Sequence, residues 1–151
     1  MRLAIGCDQY GLAYKKDILV KFGSSHAFLD CGTDSEAPVC YPDIGVKVAQ
    51  QVSSGACERG ILICGTGIGM MMTANKVRGC YAAVCHDMYS TQRSILSNNA
   101  NIMCIGALVV GKMTMETLVE LWLALRFDPQ SHSAKNVREI LRIEESAYGK
   151  M

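Results

Sequence analysis

The chain reads as an α/β protein: a three-layer α/β/α sandwich around a five-stranded parallel, Rossmann-like sheet, with one amphipathic helix left over at its C-terminal end. Three observations predict this. Short apolar runs alternate with segments of helical periodicity along the chain. The runs are apolar throughout, as in strands covered on both faces. Half of the 151 residues are hydrophobic and 19% are charged, which suits a single folded domain over residues 1–151.

Arg2 to Cys7 is the first apolar run, ended by Asp8. Tyr10 to Phe22 carries Leu12, Ala13, Ile18, Leu19 and Phe22 at helical spacing, with Lys15 and Lys16 expected on a solvated face and Gly23 as a cap. Ala27 to Cys31 is the second strand. Gly32 to Tyr41, rich in Gly, Thr, Asp, Ser and Pro, is a loop, and Pro42 suits the first position of the helix that follows. Gly60 to Ile63 is the third strand and ends in Cys64. A turn over Gly65, Thr66, Gly67, Ile68 and Gly69 comes next, then a helix over Met70 to Lys76. Gly79 to Cys85 is strand four, His86 and Asp87 start a helix to about Leu96, and Asn101 to Ile105 is strand five. Gly111 leads into a long helix with Met113, Leu118, Val119, Leu121, Trp122 and Leu125 on a wide apolar face. Asp128-Pro129 breaks it, and Ala134 to about Ala147 forms the last helix. That helix presents Val137, Ile140, Leu141 and Ile143, and a partner subunit is the expected cover for them, which favours a dimer.

The totals exclude several classes. A net charge of +1 gives no argument for nucleic acid or an anionic membrane surface. No apolar stretch has the length of a membrane span, and no leader pattern opens the chain. The eight cysteines contain no CxxC pair, so neither a zinc site nor any other metal site or cofactor is expected. Reduced thiols in the cytoplasm are the simplest reading.

Chemistry is expected at the carboxyl edge of the sheet, where every parallel strand ends. There the chain assembles Asp8, the loop ending in Tyr41, Cys64 with its glycine turn, and His86-Asp87. A strand, a glycine turn and a helix N-terminus direct backbone N–H groups at an anion, and the same groups stabilise negative charge on a thiol. The glycines are not a dinucleotide fingerprint. That motif needs Gly-x-Gly-x-x-Gly after a strand and an acidic residue about 20 positions on, whereas here the spacing is Gly65, Gly67, Gly69. Each residue also has a plainer role: Cys64 as core, Asp8 as a helix cap, Met70 to Met72 as packing, His132 as an exposed loop residue. On the residues alone, a small anionic molecule binds at this edge and Cys64 acts as base or nucleophile.

GCD at Gly6 to Asp8, CYPD at Cys40 to Asp43, ICGTGIGM at Ile63 to Met70, ANK at Ala74 to Lys76 and NNAN at Asn98 to Asn101 resemble the type B ribose-5-phosphate isomerase and galactose-6-phosphate isomerase family, over nearly the whole chain. The resemblance implies a metal-free aldose–ketose isomerisation of a sugar phosphate, of the ribose-5-phosphate/ribulose-5-phosphate type, through a cis-enediolate. It implies Cys64 as the base and Thr66 as hydroxyl relay, with the turn amides of Gly65, Gly67, Ile68 and Gly69 as the enediolate cradle. It further implies substrate contacts from Asp8, Gln9, Tyr41 and Asn98, and phosphate binding by His132 across the interface of a homodimer or tetramer. Four positions depart from that pattern. Gln9 stands where ribose-phosphate isomerases carry histidine, Ser97 where the ring-opening histidine stands, and Leu108 and Ser131 where arginines bind phosphate. Lys112, Lys135 and Arg138 are candidate replacements. These departures admit three variants: an altered sugar, including one that needs no ring opening; a chain completed by a paralogous subunit, since Asp87-Met88 and the NAN at Asn99 to Asn101 resemble the cysteine-bearing galactose-6-phosphate isomerase chain; or a non-catalytic sugar-phosphate-binding protein.

Overall fold

In the computed structural model, which describes residues 1–149, strands β1 (Arg2–Cys7), β2 (Ala27–Asp30), β3 (Arg59–Cys64), β4 (Ala82–Val84) and β5 (Ile102–Gly106) form one parallel sheet. The helices are α1 (Leu12–Phe22), α2 (Tyr41–Ser53), α3 (Ile68–Ala74), α4 (Met88–Leu96), α5 (Lys112–Ala124) and α6 (Ala134–Tyr148). The expected three-layer sandwich is present, with strand order β2-β1-β3-β5-β4.

That order follows from crossover handedness. β1 to β2 and β4 to β5 run one way across the sheet, and β2 to β3 and β3 to β4 run the other way. A right-handed crossover places opposite directions on opposite faces. Accordingly α1, α4 and α5 cover Leu3, Ile5, Cys7, Ile61, Ile63, Met103 and Ile105. On the other face α2 and α3 cover Ala4, Leu62, Cys64, Ile102 and Cys104. The period-2 alternation of a strand thus divides β3 between two cores, each fully buried Ile or Leu contributing about 1.5–3 kcal/mol. It also fixes which face Cys64 takes, the one shared with α3.

Four expectations change. Strand four shrinks to three residues. Gly79 lies in the left-handed region at φ +79°, and the Tyr81 N–H donates to the Asn101 side chain at 2.7 Å instead of to a strand carbonyl. α3 opens at Ile68 because Gly67, at φ +77°, makes the reversal by itself. Gly23 ends α1 with right-handed backbone, not as a left-handed cap. Lys15 is not solvated: it is 1% exposed, with Nζ 2.7 Å from Asp30 and 2.8 Å from Asp34 and the Thr33 carbonyl. The α1 face that Lys15 shares with Leu12 and Ile18 turns toward the sheet, where Asp30 ends β2.

Helix α6 lies beside the β4 edge of its own chain. Glu144 accepts from the Gly79 amide at 3.0 Å and from the Tyr81 hydroxyl at 2.5 Å. Val137 is buried there, while Ile140, Leu141 and Ile143 remain partly exposed. Among the described residues no helix is long and apolar enough to cross a membrane.

Candidate active site

The strand order reverses between β1 and β3, and the crevice at such a reversal is where open α/β sheets take ligands. Asp8 leaves β1 and Cys64 ends β3 on that crevice, tied by the Asp8 N–H donating to the Ile63 carbonyl at 3.2 Å. A cavity of about 330 Å³ opens there, lined by Asp8, Tyr10, Tyr41, Cys64, Gly65, Thr66, Gly69 and Leu108.

The sulfur of Cys64 is nearly buried and accepts a hydrogen bond from the Gly67 N–H at 3.1 Å. The left-handed Gly67 aims that amide back at the strand it has just left; a side chain at Gly67 would stand 3.1–3.3 Å from the Ile105–Gly106 backbone. Thr66 is exposed at the rim, its hydroxyl accepting from the Ile68 N–H at 3.4 Å. β5 anchors the turn from below: the Ala107 N–H donates to the Cys64 carbonyl at 2.8 Å and the Leu108 N–H to the Gly65 carbonyl at 3.0 Å.

Asp8 is not the N-cap of α1, which is Gly11, but it shapes the turn just before it. Its Oδ1 accepts from the Tyr10 N–H at 2.9 Å and the Gly11 N–H at 3.2 Å, forming the turn into α1, and its carboxyl also lines the cavity. Burial pushes this carboxyl above the ordinary value of 3.8, with the Gly11 and Tyr10 amides pulling the other way. Tyr41, the first residue of α2, lays its ring on Gly69: a Cβ at Gly69 would sit 2.6–2.7 Å from the ring and its hydroxyl.

The remaining predicted residues lie elsewhere. Gln9 accepts from the Val39 N–H at 3.3 Å and faces a neighbouring hollow with Lys16 and Glu36. It therefore braces the loop that delivers Tyr41. Ile68 is exposed, outside the cavity lining. Asn98 follows α4 and His132 precedes α6, so both are at the amino edge of the sheet, a strand's length (about 17 Å) from Cys64 of the same chain. Asn98 donates to the Arg93 carbonyl at 3.2 Å and borders a small hollow against α6; His132 is exposed. Ser131 shares that edge with Lys135 and Arg138, and Lys112 is paired with Asp17 at 2.7 Å.

Sequence reasoning missed two neighbours. Tyr10 and Leu108 flank Gly65, at 3.7 and 3.3 Å from where its Cβ would stand, and form the cavity walls. Leu108, singled out only for lacking charge, stands two residues past the end of β5, at the same sheet edge as Asp8 just past β1, which is the signal that locates it. Asp87 caps α4 through the Ser90 N–H at 2.8 Å, whereas His86 turns inward and accepts from the Gly106 N–H at 2.9 Å. Among the described residues no group of three or more His, Cys, Asp or Glu side chains is placed to hold a metal ion.

The arrangement is a thiol under an amide, a carboxylate, two phenols and a hydroxyl around one cavity, suited to moving a proton on a polyhydroxylated anion. The Ribose/Galactose Isomerase family profile matches residues 3–140. The chain is 40% identical to "D-erythrulose-4-phosphate isomerase 2" of Mycolicibacterium smegmatis, covering 95% of this chain and 97% of that one. It is 43% identical to "Ribose-5-P isomerase B" of Listeria innocua, covering 89% and 92%. Among solved structures, ribose-5-phosphate isomerase B of Clostridium thermocellum superimposes with a TM-score of 0.92 at 40% identity, over 97% of this chain and 99% of that one.

Proposed function

Because this chain belongs to the ribose/galactose isomerase family and is a sugar-phosphate isomerase, we propose that Cys64 is the base that moves a proton between C1 and C2 of an aldose–ketose phosphate pair. The observation that carries the reading is the Cys64 sulfur held at 3.1 Å by the Gly67 amide on the wall of the cavity it shares with Asp8, Tyr41 and Thr66. The thiolate takes the C2 proton of the open-chain aldose. The C–H electron pair becomes the C1–C2 double bond, and the carbonyl electrons move to O1. The turn amides around Gly65 to Gly69 stabilise that oxyanion, and the Thr66 hydroxyl relays the proton between O1 and O2. Return of the proton to C1 gives the ketose. Asp8 and Tyr41 bind sugar hydroxyls.

The sugar is one that arrives acyclic. Ser97 stands where the resemblance places the ring-opening histidine, so a second copy brings no such acid, and the Asp8 Oδ1 is engaged by two backbone amides; furanose opening lacks a dedicated acid. A tetrose 4-phosphate needs none, because the hydroxyl that would close a five-membered ring is esterified. The name of the Mycolicibacterium smegmatis relative agrees with this substrate class. The site is completed by a second copy, which brings Asn98 to the substrate and His132 to its phosphate from its amino edge and uses the apolar residues of α6 as part of the contact. Eight free thiols fit a reducing cytoplasm.

The test is deuterium incorporation at C2 in heavy water, with D-erythrose 4-phosphate and D-ribose 5-phosphate as substrates. Exchange should be faster with the tetrose, and Cys64→Ala should lower it by about 10²–10⁴-fold with the fold retained. Full activity in Cys64→Ala removes the base assignment, and preference for the pentose removes the acyclic reading. Activity that emerges only on adding a paralogous chain would favour a hetero-oligomer.

A further inference from the structure

The His86 imidazole lies one strand away from the cradle and has no part in the proton transfer just described. β4 ends at Val84, two residues before it, while β5 continues to Gly106. The last ladder bond on that side is the Cys85 N–H to the Cys104 carbonyl at 2.9 Å. The next β5 amide, Gly106, has no strand carbonyl to meet and donates at 2.9 Å to His86 Nε2. Nε2 is therefore the unprotonated nitrogen of a neutral ring, with the proton on Nδ1.

Gly106 is also the point on which the cradle rests. It pairs with Cys64 in the β3–β5 register. A Cβ on Gly106 would meet the Thr66 backbone at 2.7–2.9 Å, so strand and turn are in direct backbone contact. The two residues after Gly106 donate to the Cys64 and Gly65 carbonyls, and Leu108 walls the cavity. Releasing the Gly106 amide loosens the segment that holds the Cys64–Gly67 hydrogen bond in place.

We propose that neutral His86 is a positioning residue for the Cys64 cradle: its ring substitutes for a missing β4 carbonyl, fixes Gly106, and makes the cradle sensitive to acid. Protonation would turn Nε2 from acceptor into donor, facing another donor. This rests on Cys64 as base for its effect on rate, but the hydrogen bond itself does not.

The surroundings agree with a neutral ring. Burial pushes the imidazole below its ordinary value of 6.5, opposed by the adjacent Asp87 carboxylate. α3 carries no titratable side chain, and β5 carries only the Cys104 thiol, which full burial pushes well up. On α4, Arg93 sits over the Tyr89 ring. Asp87 is thus the charge acting on the ring, and it accepts from Ser90 at the helix cap. As pH falls through the depressed value, the ring gains a proton and the Gly106 bond is lost.

His86→Gln, whose amide oxygen can occupy the Nε2 position, and His86→Leu, which has no acceptor, separate this role from packing. The wild type should lose kcat on the acid side, below the ordinary imidazole range. Gln should hold kcat near wild type at neutral pH and lack that acid limb; Leu should lower kcat about tenfold at every pH, with KM changed less. Amide exchange of Gly106, Ala107 and Leu108 should accelerate in Leu and not in Gln, and imidazole ¹⁵N shifts should show the Nδ1–H form. An Nε2–H tautomer, or Leu behaving as wild type in both exchange and pH profile, overturns the proposal. Because the exchange and ¹⁵N readouts need no substrate, they decide it even if Cys64 proves not to be the base.

Discussion

Asp8 holds the turn into α1 with a buried carboxyl that also lines the cavity, and its burial has a consequence for stability. Its folded value is raised, chiefly by burial, so the native state holds a proton that the unfolded chain has already released in the range just above 3.8. The protonated form favours the fold, and that contribution is lost as pH rises through the raised value. Asp8→Asn keeps an oxygen for the Tyr10 and Gly11 amides and removes the buried charge. Its Tm should equal or exceed that of the wild type at neutral pH, while kcat/KM falls about tenfold through the lost charge-assisted bond to substrate. A lower Tm in calorimetry would show that the carboxylate is needed for the turn itself. Gly69 makes a different test. A methyl group there collides with the Tyr41 ring at 2.6–2.7 Å, but the ring is 40% exposed and free to swing outward. Gly69→Ala should cost under about 1 kcal/mol in denaturant unfolding, since alanine also favours the helix. KM should rise several-fold because Tyr41 no longer covers the cavity. Unchanged KM would exclude Tyr41 from substrate binding.

The α1–β2 junction and the loop after it are held by the buried Lys15. Burial opposes its charge, but the hydrogen bonds that Lys15 donates to Asp30 and Asp34 outweigh burial and raise its folded value. Its contribution is therefore fully present below the ordinary 10.5 and is lost as pH rises through the folded value. Lys15→Met should cost about 1–3 kcal/mol near neutral pH, less than a fully buried pair because Asp30 and Asp34 still reach water. In alkaline urea titrations the gap between variant and wild type should close; a constant gap would mean that packing of the aliphatic stem, not charge, is responsible. The element boundaries carry a related lesson. Asp87 was legible as the start of α4, because a capping carboxylate acts on an amide three residues away. The short β4 was not, because Asn101, twenty residues on, captures the Tyr81 amide that would have extended it.

The whole chain places the proposed site residues at opposite edges of the sheet. Cys64, Asp8 and Tyr41 face one edge, and Asn98 and His132 the other. Under the proposed assembly, mixing Cys64→Ala subunits with His132→Ala subunits should restore activity that neither has alone, since each mixed dimer keeps one intact site. No gain after subunit exchange, verified by mass spectrometry, would place each site within one chain. Much of this was legible in the sequence. The β–α alternation announces the sheet, since apolar period and length are local properties. The parallel direction that alternation forces sends the Cys64 turn, Asp8 and Tyr41 to one edge. Lys15 was misread because helical spacing shows which residues share a face, not what that face meets. His86 was given no partner because Gly106 lies twenty residues away. By itself, then, the sequence determined the fold class, the cysteine-bearing turn and the edge at which Cys64, Asp8 and Tyr41 meet, all consequences of local hydrogen bonding and hydrophobic period. Only the tertiary structure decided the order β2-β1-β3-β5-β4, the buried Lys15 pair, the Tyr10 and Leu108 walls and the separation of Asn98 and His132 from Cys64. Those depend on which strands lie side by side, and that is set by long-range packing which no single stretch of residues contains.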